Sequence, residues 1–80
     1  MNDNGYVAGE IAGSFCSFSV DDEGCLVFDL GQGLRRNFPG LTREQALGSV
    51  VDAWLDDHPY GSHAVPEVRR MASKALDGVA

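Results

Sequence analysis

Eighty residues with twelve Asp and Glu against six Lys and Arg make one small acidic domain, too short for two cores and, at 44% apolar, too hydrophobic to stay unfolded for want of burial. The longest uninterrupted apolar run, Cys25 to Phe28, falls far short of the roughly 20 residues of a membrane span, and Met1 to Gly5 offer no positive charge ahead of an apolar segment, so the expected location is cytoplasmic. The net charge of −6 belongs to the N-terminal segment: six acids and no Lys or Arg up to Leu30, then six of each, which argues against direct binding of nucleic acid or an anionic membrane and permits a basic partner.

The first candidate element is 6–12, a short extra strand weakened by Gly5, Gly9 and Gly13. From Ser14 to Phe38 the period is near two, with aromatic and β-branched runs separated by Asp/Gly turns, which predicts strands at about 14–20, 25–30 and 34–38. Pairing Val20 with Cys25 sets Phe18 against Val27 and leaves Cys16 and Cys25 roughly 13 Å apart along the ladder, beyond disulfide reach. Pairing Leu30 with Leu34 puts Leu26, Phe28, Leu30, Leu34 and Phe38 on one face and sets Arg35 against Asp29 as a cross-strand ion pair.

Beyond Pro39-Gly40 the period turns helical. Thr42 and Gln45 form a capping box, and Leu47, Val50, Val51, Trp54 and Leu55 follow as an apolar stripe, predicting a helix over about 42–58 that ends before Pro59. Gly48 within it suggests close approach to the sheet. A second helix over about 65–77 starts with Pro66 in its first turn and buries Val68, Met71, Ala72, Ala75 and Leu76. The fold class is therefore α+β: an antiparallel β-meander of three strands, or four with 6–12, followed by two helices on one face.

Candidate chemistry is sparse. Gly31-Gln32-Gly33 begins like a dinucleotide fingerprint, but position 36 is Arg and no helix follows directly, so a tight hairpin loop explains the glycines. His58 and His63, near Asp56 and Asp57, straddle a Pro-Gly loop instead of sharing a helix face, and Ser62 lacks a nucleophile elbow. Cys16 and Cys25 have no basic neighbour to lower a thiol pKa. Arg69, Arg70 and Lys74 suit a solvated helix face, with Glu67 and Arg70 paired at i, i+3. No enzyme activity, cofactor or metal is expected.

The acids carry the sharper reading. Asp21, Asp22 and Glu23 crowd a hairpin tip, and Asp52, Asp56 and Asp57 gather toward the C-terminal half of the first helix, where negative charge opposes the macrodipole. Carboxylates at i and i+4 form a row whose spacing resembles that of phosphates along a strand. These six residues are the candidate partner contacts, and the partner expected is a basic nucleic-acid-binding protein; the chain itself is a monomer or a homodimer.

In length, acidity, lack of an enzyme motif and plain sheet-plus-helix plan the chain resembles the small phage-encoded anti-CRISPR proteins. That resemblance is one of class, and it implies a stoichiometric inhibitor that blocks a nucleic-acid-binding surface of a CRISPR effector complex. Phe15-Cys16-Ser17-Phe18-Ser19-Val20-Asp21-Asp22-Glu23-Gly24-Cys25-Leu26-Val27-Phe28-Asp29-Leu30, with the later Leu41-Thr42-Arg43-Glu44-Gln45-Ala46-Leu47, is similar to the opening of HicB-type antitoxins. This second resemblance, over 15–55, implies binding to a small toxin; the contact expected of such an antitoxin-like or regulatory protein is an open sheet edge or the second apolar face of the Leu26 to Leu30 strand. The resemblance departs at Gly31 to Arg36, and one C-terminal helix is too little for a helix-turn-helix. A third possibility, a small enzyme, would use Asp57, His58 and His63.

Overall fold

In the computed structural model, which describes residues 5–31, 33–38 and 40–78, the alternating half of the sequence forms four strands and the helical half two helices. Strands β1 (Val7–Ile11), β2 (Ser14–Val20), β3 (Leu26–Asp29) and β4 (Leu34–Arg36) pair in chain order as an antiparallel meander. Helix α1 (Arg43–Asp57), a single 3-10 turn (Ser62–Ala64) and helix α2 (Val65–Asp77) follow. The architecture is α+β, with both helices on one face of the sheet and the other face uncovered.

Within the candidate 6–12 a strand does form, over Val7–Ile11, and its glycines have uses. Ile11 pairs with Ser14 across a two-residue loop, Ala12-Gly13, with φ of 53° and 84°, the left-handed pair whose twist matches that of antiparallel strands. Gly9 faces the helices, where a Cβ would lie 3.3 Å from Met71 Cε, so its bareness lets α2 approach.

Both later hairpins close one residue away from the expected register. At the β2–β3 tip the Gly24 N–H donates to the Asp21 carbonyl and the Asp21 N–H to the Cys25 carbonyl, each at 3.0 Å, with Gly24 at φ 82°. This makes a three-residue loop with a left-handed glycine, so Val20 pairs with Leu26, not Cys25, and Phe18 with Phe28, not Val27. At the β3–β4 turn Asp29 pairs with Leu34 and Phe28 with Arg35, while Leu30 drops into the loop and is buried. A one-residue slip turns every β4 side chain to the opposite face. Leu34 and Phe38 are accordingly 75% and 82% exposed instead of core, and Arg35 points toward the helices instead of pairing with Asp29. Gln32 and Pro39 lie outside the described residues.

Helix α1 starts as its sequence dictates, with Gln45 N–H donating to Thr42 Oγ1 and Thr42 N–H to Gln45 Oε1. It buries Leu47, Val50 and Trp54, side chains large enough to hold its axis off the sheet. The close approach expected at Gly48 is absent, because a Cβ there would meet nothing within 4 Å. Helix α2 lies nearer, over β1 and β2, packing through the fully buried Ala72 and Ala75. Its end returns to the start of the sheet: a Cβ on Gly78 would sit 2.7 Å from the Gly5 nitrogen. Both cysteines are buried and free. Burial, and secondarily the charge of Asp29, push the Cys16 thiol up, which leaves it protonated and inert.

Candidate functional site

The six candidate acids divide between the two ends of the sheet. Asp21, Asp22 and Glu23 stand at the β2–β3 tip, beside the N-terminal end of α1, whereas Asp52, Asp56 and Asp57 belong to the half of α1 that ends near Ser14. They differ equally in what they do. Asp21 Oδ1 accepts the N–H groups of Glu23 and Cys25 at 2.9 Å, fixing the turn, while its Oδ2 accepts from Arg36 Nε at 2.6 Å. The same guanidinium holds Glu23. Asp57 is turned inward, its side chain 7% exposed, with both oxygens accepting from Arg35 Nη2 at 2.9 and 2.7 Å. Asp22, Asp52 and Asp56 stand exposed without an ion-pair partner among the described residues.

Every arginine is occupied in the same way. Beyond Arg35 and Arg36, Arg43 meets Asp77, Arg69 meets Glu44, and Arg70 meets Glu67 as the i, i+3 spacing predicts. The surplus negative charge therefore stands on Glu10, Asp22, Asp29, Asp52 and Asp56, none of which has a cation within ion-pair distance among the described residues. Asp52 and Asp56 occupy the side of α1 opposite its buried stripe. Glu10 and Asp29 lie on the uncovered sheet face, a pair that charge counting along the chain missed because its position depends on register.

That face is built by alternation. Tyr6, Ala8 and Glu10 come from the first strand and the residue before it, Phe15, Ser17 and Ser19 from β2, Val27 and Asp29 from β3, and Leu34 and Arg36 from β4. Ser17 sits between Ala8 and Asp29, so small side chains floor the middle while Tyr6, Phe15 and Leu34, 52%, 59% and 75% exposed, stand around it. Phe28 and Leu30, by contrast, are core residues, 3% and 1% exposed, and are unavailable to a partner. The second face of β3 consists of Val27 and Asp29.

The other constellation surrounds His58. Its Nδ1 lies 3.3 Å from the Trp54 carbonyl, which can only accept, so Nδ1 carries the proton and Nε2, 3.2 Å from Ser14 Oγ, accepts from the hydroxyl. The imidazole stacks on the Trp54 ring with centroids 3.9 Å apart, and Trp54 Nε1 donates to the Gly61 carbonyl at 2.8 Å. Together these tie β2, the end of α1 and the following loop. Asp57 turns to Arg35 instead of His58, so of the three residues of the enzymatic possibility only His58 and His63 share a site. A shallow apolar pocket of about 290 Å³ opens beside them, lined by Ala12, Trp54, His58, Tyr60, Gly61 and His63.

One metal-type set gathers among the described residues: Asp21, Glu23 and Cys25, with donor atoms within 4.8 Å of one another. The Arg36 guanidinium already supplies its positive charge. Arg36 first, and the Cys25 and Glu23 N–H groups after it, hold the Asp21 carboxyl below the ordinary carboxylate range. A carboxyl depressed in the native state stabilises it above its unfolded pKa of about 3.9, and that contribution disappears as pH falls through the lower native value. An NMR titration of the Asp21 carboxyl carbon is expected to give a midpoint below about 3.9, moving up toward it in Arg36→Gln. An ordinary midpoint in the unaltered chain would refute the ion pair.

Compared with protein-family models, curated proteins and solved structures, the chain matches none of them significantly.

Proposed function

We propose that this chain is a non-enzymatic acidic inhibitor that binds a basic protein and covers its nucleic-acid-binding surface, in the manner of the anti-CRISPR proteins that it resembles in class. One observation supports this reading most: all five arginines are engaged by acids of their own chain, and among the described residues five acids, four exposed and one half-buried, are left without a cation. Such a surface attracts a basic partner, speeds the encounter at low salt and repels nucleic acid. Of the six candidate acids, Asp22, Asp52 and Asp56 keep their charge for this long-range attraction, since Asp21, Glu23 and Asp57 are committed to arginines within the fold.

The second reading, a HicB-like antitoxin or other regulatory protein, draws support from the uncovered sheet face, whose apolar contacts respond little to salt. One experiment addresses both. The immobilised chain is exposed to nuclease-treated bacterial lysate at low and high salt, and each retained protein is purified and assayed for nucleic-acid binding with and without the chain. Capture of a nucleic-acid-binding protein at low salt, its release at high salt, and loss of its nucleic-acid binding at near-equimolar chain are the expected results. A small ribonuclease held equally at both salts would replace the first reading with the second.

A further inference from the structure

We infer that the contact surface of this acidic binder is the uncovered sheet face, and that its occupant is a basic amphipathic segment of the partner protein. The inference rests on the function proposed above and adds the surface and the chemistry of what it takes. The middle of the face is low, floored by Ala8, Ser17 and Ser19, with Tyr6, Phe15 and Leu34 rising around it, so an apolar ridge can lie in the trough. Exposed aromatic and aliphatic side chains gathered on one sheet face are a surface that water covers poorly.

The charges select the occupant. Asp29 lies in the floor between Ser17 and Leu34, and Glu10 stands at the β1 edge opposite Phe15. One oxygen of Asp29 accepts the Gly31 N–H at 2.8 Å, leaving the other for a ligand, and neither acid has a cationic partner among the described residues. Arg36, the one base on this face, is engaged by Asp21 and Glu23. A Lys or Arg of the partner placed over Asp29 would gain a carboxylate, and one near Phe15 or Tyr6 an aromatic face as well. A second copy of this chain fits badly, because it would bring the same uncompensated acids to the interface. Nucleic acid is repelled for the same reason.

The test uses two synthetic peptides of equal length and charge, an amphipathic Leu/Lys peptide and a Ser/Lys peptide, with affinity read by fluorescence anisotropy and location by amide chemical shifts. The chain is expected to prefer the Leu/Lys peptide about tenfold, a difference of about 1.4 kcal/mol, with shifts centred on Ala8, Ser17, Ser19 and Val27. Phe15→Ser with Leu34→Ser, both exposed positions, should erase the preference, and Asp29→Asn, which keeps the bond to Gly31, should weaken binding of the Leu/Lys peptide severalfold. Asp52→Asn with Asp56→Asn should leave the preference intact; circular dichroism checks that each variant is folded. Equal binding of both peptides with shifts on α1 would overturn the assignment to the sheet face while leaving the acidic binder standing. No binding of either peptide at low salt would overturn both.

Discussion

Trp54→Ala is expected to remove most of the stability of this domain, about 3–5 kcal/mol by the usual cost of deleting a buried large aromatic, against a total of about 4–12 kcal/mol for a chain of this size. Trp54 is fully buried, stacks on His58 and donates to the Gly61 carbonyl. The loop is shaped around it: a Cβ on Gly61 would sit 2.8 Å from Trp54 Nε1 and 3.1 Å from the His58 carbonyl oxygen. Trp54→Phe separates the two contributions, because it keeps most of the apolar bulk and loses the donor; the Gly61 carbonyl still accepts the Ala64 N–H at 3.0 Å, so the lost bond should cost only about 0.5–1.5 kcal/mol. Urea unfolding followed by far-ultraviolet circular dichroism measures both. An Ala variant with the parent midpoint would show that the ring is not central to the core.

The second large effect belongs to Asp57. Asp57→Ala strands the Arg35 guanidinium on the helix side of the sheet, and the expected loss is about 1–3 kcal/mol, below the 3–5 of a fully buried pair because the Arg35 side chain is 32% exposed. Asp52→Ala, five residues earlier on the solvated side of the same helix, should change stability by less than about 0.5 kcal/mol. Arg35→Met combined with Asp57→Leu should recover part of the loss, since apolar replacement of both partners of a buried pair is often neutral. Chemical denaturation of the three variants beside the unaltered chain measures each difference. Equal effects at positions 52 and 57 would mean that the inward ion pair contributes nothing.

Element positions were legible in the sequence because each rests on local chemistry. The capping box of Thr42 and Gln45, Pro66 in a first turn and the alternation from Ser14 to Val20 place their elements within a residue or two of where they lie. Register was not legible, because it depends on how a turn closes. The left-handed conformation of Gly24 and the departure of Leu30 into its loop each moved a pairing by one residue. The same step decided the site. It carried Arg35 to the helix side, where it captured Asp57, and left Leu34 beside Asp29 on the open face. The acids could be counted from the sequence; which of them are already paired follows from side-chain directions that composition does not contain.

The meeting of Gly78 with Gly5 bears on how the molecule comes apart. Most small domains fray from an end. Here α2 rests on β1 and β2, so peeling away the first strand uncovers the last helix, and releasing the helix bares the strand that Gly9 fits to Met71. Partial opening from either side is therefore expected to forfeit the packing of both. Unfolding should proceed as a single event, with amides of β1 and α2 exchanging their hydrogens at rates near those of the central strands.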